Sequence, residues 1–144
     1  MRKSKAVALE DQPGYFIRRL QQIAVAIFLE ETQAHGITPV QYAALHAALQ
    51  QPGLDQRTLA ATIGFDTSTI GGVIDRLELK GLVQREVSAQ DRRARQLTLT
   101  SEGRQLLAAS RPVVEALQAD ILSPLSRAER AAFLVLAQKA LGLG

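Results

Sequence analysis

The sequence has no cysteine and no tryptophan, only two tyrosines and four phenylalanines, and two histidines. Without cysteine there are no disulfides, no thiolate zinc sites and no thiol-based redox sensing. So few rings argue against a platform on which single-stranded bases would stack. Nowhere do about eighteen apolar residues run consecutively, so no membrane-spanning helix is expected. The leader MRKSKAVALEDQPG starts basic but lacks an apolar run of signal-peptide length, and a cytoplasmic location is expected. Also missing are a phosphate-binding glycine-rich loop, H-E-x-x-H and G-x-S-x-G, and two histidines without clustered acids make a poor metal site. An enzyme is not expected, nor is a metal or a cofactor. Charge of one sign is scarce too: 17 Lys and Arg against 14 Asp and Glu leave a net +3, too little by itself to name a nucleic-acid partner.

What remains is 144 residues, 47% of them hydrophobic, enough for one compact domain or a domain with an interaction appendage. Helical signals dominate. After Pro13 and Gly14, Phe16, Leu20, Ile23 and Ile27 form one stripe, widened by Ile17, Ala24 and Phe28. An apolar face this broad implies more than one neighbour, a second copy of the chain among them. Gly36 is expected to end that helix. Thr38-Pro39-Val40-Gln41 is a capping box with proline at the first helical position, opening a helix to about Gln51. Asp55 caps a short helix, QRTLAATI, closed by Gly64, and Phe65 follows as a plug into the core.

Asp66 caps the next helix, TSTIGGVIDRLELK, closed by Gly81. Ile70, Val73, Ile74 and Leu77 share its inner face, while Ser68, Gly72 and Asp75, flanked by Gly71 and Arg76, make a thin polar outer face, and Leu79 also points outward. Val83 to Val87 and Arg95 to Leu99 read as strands joined by an arginine-rich tip. Ser101 is expected to cap a long helix to about Leu122, with a kink or break at Pro112. Ser126-Arg127-Ala128-Glu129 is a second capping box, opening a final helix rich in Phe133, Leu134, Leu136 and Leu141.

A short helix, a tight turn and a second helix with a thin outer face make a helix-turn-helix, and the following hairpin supplies a wing. Small side chains let the second helix settle deep in a major groove, where Thr67, Ser68 and Thr69 meet phosphates or base edges. The wing-tip segment SAQDRRARQLTLTSEG carries Arg92, Arg93 and Arg95. A hairpin tip beside a groove-bound helix reaches the flanking minor groove, whose negative potential attracts arginine. Asp91 is close enough in sequence to orient Arg93 through a charge-assisted contact.

DRLELKGLVQREVSAQDRRARQLTLTSEG closely resembles the wing region of MarR-family transcriptional regulators, whose pattern runs roughly D-R-L-E-x-K-G-L-V-x-R and then D-R-R-x-x-x-L-x-L-T-x-x-G. The likeness extends to one long helix before the winged helix-turn-helix and two after it. It implies a mainly α fold with a two-stranded β wing and N- and C-terminal dimerisation helices: an arm and helix over 1–37, a DNA-binding domain over 38–103 and dimerisation helices over 104–144. By resemblance the protein is a homodimer on a pseudo-palindromic operator, usually a repressor. Arg93 is then the minor-groove arginine with Asp91 its partner, and Thr67, Ser68, Thr69, Gly72, Asp75, Arg76, Arg92 and Arg95 complete the DNA-binding set. One departure stands out: Gly71-Gly72 replaces bulkier residues common at those positions, at about 1 kcal/mol of helix propensity per glycine.

Many members of this family release DNA when a small phenolic or aromatic acid binds. The stretch YFIRRLQQIAVAIFLEE followed by ITPVQYAAL resembles a subgroup tied to aromatic-acid catabolism. Tyr15, Arg18, Arg19, His35 and His46 are the polar candidates for such an effector, an arginine for the carboxylate and a tyrosine or histidine for a ring hydroxyl. Each also has a plainer reading, Arg18 as a solvated or dimer-contact residue and His46 as a half-buried helix histidine. The rival functions are an architectural DNA binder without effector and a winged helix used only for protein contacts.

Overall fold

The computed structural model describes residues 5–90 and 95–144. Its elements follow in the order α1 (Pro13–Glu31), α2 (Pro39–Gln50), α3 (Gln56–Ile63), α4 (Thr67–Leu79), β1 (Val83–Val87), β2 (Arg95–Leu99), α5 (Ser101–Ile121) and α6 (Arg127–Ala140). None of the described helices is long and apolar enough to cross a membrane. The chain divides into two units, Met1–Ile27 with Glu115–Gly144, and Phe28–Val114.

The Phe28–Val114 unit is built around Leu45, Leu59, Ile70, Ile74, Leu77 and Leu97, all fully buried. They come from α2, α3, α4 and β2, which pack on one another. Capping follows the sequence closely. Thr38 and Gln41 complete the capping box of α2, Asp55 accepts from the Thr58 amide to start α3, and Gly64, at φ +78°, ends it. Gly81, at φ +73°, closes α4, its amide donating to the Glu78 carbonyl at 2.9 Å and that of Leu82 to Leu77 at 3.0 Å. These are left-handed positions that favour glycine.

β1 and β2 form an antiparallel hairpin with Val83 opposite Leu99, Arg85 opposite Leu97 and Val87 opposite Arg95. The segment before α3 joins this sheet: Gly53 donates to the Leu97 carbonyl at 3.1 Å, Leu97 donates to the Leu54 carbonyl at 2.9 Å, and Asp55 bridges Gln96. The hairpin is therefore hydrogen-bonded to the entry of the helix-turn-helix.

Four local expectations are corrected. Helix α1 stops at Glu31, and Gly36 closes a separate 3-10 turn over Gln33–His35. The Thr32 amide makes an i→i−4 bond, to the Phe28 carbonyl at 2.9 Å, after which His35 and Gly36 donate three residues back, while the Thr32 hydroxyl reaches the carbonyls of Phe28 and Ile37 at 2.7 and 3.2 Å. Phe65 is no core plug; it is 43% exposed, directly after the left-handed turn at Gly64. Thr100, not Ser101, caps α5: its Oγ1 accepts from the Gly103 amide at 3.1 Å and donates to the Gly81 carbonyl at 2.6 Å. Finally, Pro112 does not break α5, which continues to Ile121. Both Pro112 and Ala108, whose carbonyl loses its donor, are exposed, so water can satisfy that group.

Gly103, the last residue of the L-T-x-x-G pattern, has a steric reason to be glycine. A Cβ there would stand 2.0 Å from the Leu82 carbonyl oxygen, closer than any van der Waals contact. The start of α5 thus rests on the backbone that leads from α4 into β1.

In the other unit, Phe16, Ile17 and Ile23 of α1 and Leu134, Val135 and Leu136 of α6 are all exposed, as are Leu141 and Leu143 beyond α6. Within a single chain these helices leave apolar faces uncovered. The capping box at Ser126 and Glu129 starts α6, and the Arg130 Nε reaches the carbonyls of Leu122 and Leu125 at 3.1 and 3.0 Å, tying the turn between α5 and α6.

Candidate nucleic-acid interface

The outer face of α4 begins at Asp66, whose carboxylate organises the first turn. Its Oδ1 accepts from the Thr69 amide at 2.7 Å and from the Ser68 hydroxyl at 2.6 Å, and its Oδ2 accepts from the Thr69 hydroxyl at 2.7 Å. These bonds, that of Ser68 first, hold the Asp66 carboxyl far below the usual carboxylate range. Thr67, Ser68 and Thr69 are all exposed. Two of the three hydroxyls are turned to the cap in the unbound protein, so meeting DNA would mean sharing or exchanging those bonds.

Further along, Gly72 is exposed and a Cβ built on it meets nothing within 4 Å. Asp75 and Arg76 are exposed as well, and Leu79, as the sequence reading expects, is 89% exposed. The inner face, Ile70, Val73, Ile74 and Leu77, is wholly buried. A helix anchored on one side and bare on the other can enter a groove without rearranging its core.

Asp75 is not an isolated acid. Arg85 on β1 pairs with it through Nη2, and its Nε donates to Glu78 Oε2 at 3.2 Å. One guanidinium thus ties β1 to two carboxylates of α4 and offsets their negative charge. From sequence alone Arg85 has no evident role. The available signal was Asp75 and Glu78 three apart, hence on one helix face, followed by an arginine in the adjoining strand. Lys80 makes a second tie, its Nζ donating to the Gly36 carbonyl at 3.1 Å.

Of the wing-tip residues, Arg95 is exposed at the start of β2, opposite Val87. Asp91, Arg92 and Arg93 lie outside the described residues.

The effector candidates fall in both units. Tyr15 and Arg18 come together at the start of α1, the guanidinium carbon 5.6 Å from the ring centroid, and Arg19 beside them is exposed. In the other unit, His46 stacks on Tyr42, centroids 6.1 Å apart, and Tyr42 meets Phe28 edge-on at the same distance. His35 is half-buried in the 3-10 turn, its amide donating to the Thr32 carbonyl at 2.9 Å. Tyr42 was not singled out from sequence, although its spacing of four from His46 puts the two on one helix face.

A buried-core helix-turn-helix with a bare second helix, followed by a hydrogen-bonded hairpin, defines a winged helix-turn-helix DNA-binding module. The family model that matches residues 35–94 is that of the MarR family. Over 133 residues the chain is 32% identical to the transcriptional regulator HosA of Escherichia coli, covering 92% of this chain and 97% of HosA. Among solved structures it is similar to BpsR of Bordetella bronchiseptica, described for regulation of its DNA binding by 6-hydroxynicotinic acid, with a TM-score of 0.88, 29% identity and coverage of 94% and 97% of the two chains. It is also similar to CouR of Rhodococcus jostii, a transcriptional repressor seen on a 23-mer DNA duplex, with a TM-score of 0.84, 29% identity and coverage of 96% and 99%. The chain belongs to the MarR family, a family of transcriptional regulators and not of enzymes.

Proposed function

We propose that this protein is a cytoplasmic, homodimeric repressor of a catabolic or efflux operon, released from a pseudo-palindromic operator by a small aromatic acid or phenol. The observation that carries the DNA half of this reading is the bare outer face of α4, with open space above Gly72 and four buried residues beneath it. The helix backbone at Gly72 would approach the groove floor, with Thr67, Ser68, Thr69 and Arg76 meeting phosphates and base edges. Arg92, Arg93 and Arg95 would serve the adjoining minor groove, with Asp91 aligning Arg93. CouR, on its duplex, supports the same use of the fold here.

Dimerisation is supported by the apolar residues left exposed on α1 and α6. Removing such area from water is favourable by about 25 cal/mol per Å², and two-fold pairing would place α4 and its symmetry mate on half-sites one helical turn apart. On this reading the arm and first helix over 1–37 and the helices over 104–144 serve dimerisation, and 38–103 serves DNA.

For the effector, each unit would offer its own groups: at the start of α1, Arg18 or Arg19 for a carboxylate and Tyr15 for a hydroxyl, and in the Phe28–Val114 unit, His35 or His46 for a ring hydroxyl with Tyr42 and Phe28 as aromatic faces. The effect of 6-hydroxynicotinic acid on BpsR supports an acid of this class. Two measurements test the reading together. Genomic fragments bound by the protein should contain a two-fold-symmetric site, and hydroxylated aromatic acids titrated against that complex should include at least one that releases it. A broad panel with no releasing compound would sink the effector half and leave the DNA half standing.

A further inference from the structure

Gly71 and Gly72 are neighbours in sequence but not in circumstance. Gly72 faces open space, whereas a Cβ on Gly71 would meet the Gln56 Nε2 at 3.0 Å, so a side chain already occupies what this glycine leaves empty. Gln56 is the first residue of α3, half-buried, and its amide crosses the turn to donate to the Thr67 carbonyl at 3.2 Å. Thr67 and Gly71 are four apart, the spacing at which a helical carbonyl and amide pair. The Gln56 amide therefore sits on the first turn of α4, using the second lone pair of the Thr67 carbonyl.

We propose that Gln56 and Gly71 form a latch that sets the roll and depth of α4 against α3, making Gln56 a positioning residue for base-specific recognition. The proposal rests on the DNA-binding reading above. In a helix-turn-helix the first helix crosses the DNA backbone while the second reads base edges. Phosphate contacts fix the protein on the duplex and base contacts carry the sequence information. A device that holds the reading helix against the backbone-crossing helix acts on the second term and leaves the first almost untouched. Base readout is the more sensitive of the two, because bidentate contacts need placement to within about half an ångström. Gly71 is the part of the latch that sequence alone records, as a helix-weakening residue without evident cause.

The test compares Gln56→Ala, Gly71→Ala and the double variant with the wild-type protein. Gln56→Met is added, which keeps the length and packing of the side chain and removes its donor. Each is titrated across a range of salt with the duplex that the wild type selects from a randomised pool, and with a scrambled duplex of equal length. Each single variant should lower the ratio of selected to scrambled affinity about five- to tenfold, the size expected for one displaced hydrogen-bonded contact. Scrambled-duplex affinity and salt slope should hold, and the double variant should be no worse than the worse single. Thermal midpoints should stay at or above wild type for Gly71→Ala. An unchanged ratio, additive losses in the double variant, or a parallel fall of both affinities with the melting temperature would overturn the latch alone. Failure of the wild type to select any sequence would overturn the DNA reading, and the latch with it.

Discussion

Replacing Gly72 with alanine should make the protein more stable and a poorer DNA binder. Gly72 lies inside α4, between Thr67 and Leu79, and the added methyl meets nothing within 4 Å, so no steric cost offsets the gain in helix propensity. That gain is about 1 kcal/mol, or a rise of about 2–4 °C in the melting midpoint for a chain of this size. On DNA the same methyl would stand where the helix backbone approaches the base edges. Holding the helix off would weaken one bidentate contact or its equivalent, about 1–3 kcal/mol, which is about five- to more than a hundredfold in Kd. Calorimetry on the free protein and fluorescence anisotropy on the operator complex read the two effects separately. A higher midpoint with unchanged affinity would refute the placement of Gly72 against DNA, and a lower midpoint would refute the open space above it.

Other outcomes follow from the same geometry. Arg93→Ala should weaken all duplexes and reduce the salt slope of log K by about 1, measured by titration across salt; an unchanged slope would remove Arg93 from the phosphate-lined groove. Gly103→Ala should destabilise by about 2 kcal/mol or more in urea unfolding, because the new methyl collides with the Leu82 carbonyl and the backbone must shift. Arg85→Gln should leave Asp75 and Glu78 uncompensated, weakening DNA binding while costing less than about 1 kcal/mol of stability, as partly exposed ion pairs do. Adding Glu78→Gln should restore part of the affinity; no restoration would mean that Arg85 does not act through that charge. For Asp66 the folded pKa lies below the ordinary 3.8, so its contribution is complete above about pH 4 and disappears as pH falls through the depressed value. Acid-unfolding curves of wild type and Asp66→Ala should differ near neutrality and converge at the acid end.

Element boundaries around α2, α3, α4 and the hairpin were legible because each end carries its own chemistry: Thr38, Asp55 and Asp66 as caps, Gly64 and Gly81 as left-handed stops. The inner face of α4 was legible from its 3.6-residue period. Misreadings arose where two local signals compete. Thr100 and Ser101 both look like caps, and the winner is fixed by a hydroxyl that also reaches the Gly81 carbonyl, a tertiary fact. Phe65 is apolar after a turn, which is compatible with either side of the chain. The amide of Gln56 crosses between elements and leaves no periodic trace, and for Arg85 the i, i+3 spacing of Asp75 and Glu78 marks the acids without naming the strand residue that pairs with them. For the effector candidates, sequence supplied the residue types, while the ring ladder of Phe28, Tyr42 and His46 needed the packing of α2 to appear.

The pair of glycines raises a problem that the rest of the module answers. Two glycines inside a thirteen-residue helix cost about 2 kcal/mol relative to alanine, and neither site can recover this with a large side chain, Gly72 because it would lose access to the groove and Gly71 because Gln56 already fills the space beside it. Stabilisation therefore comes from everywhere else on the helix. Asp66 satisfies its first turn with both carboxylate oxygens, Gly81 closes its end, Arg85 braces its flank and four apolar residues are buried beneath it. A thin helix fixed at both ends and from below can present backbone to DNA and remain ordered when free. If that is the logic, the cap should matter less once the helix no longer needs it. Asp66→Ala should lower the melting midpoint more in the wild type than in a Gly71→Ala, Gly72→Ala background, and equal losses in the two backgrounds would show that cap and glycines are independent.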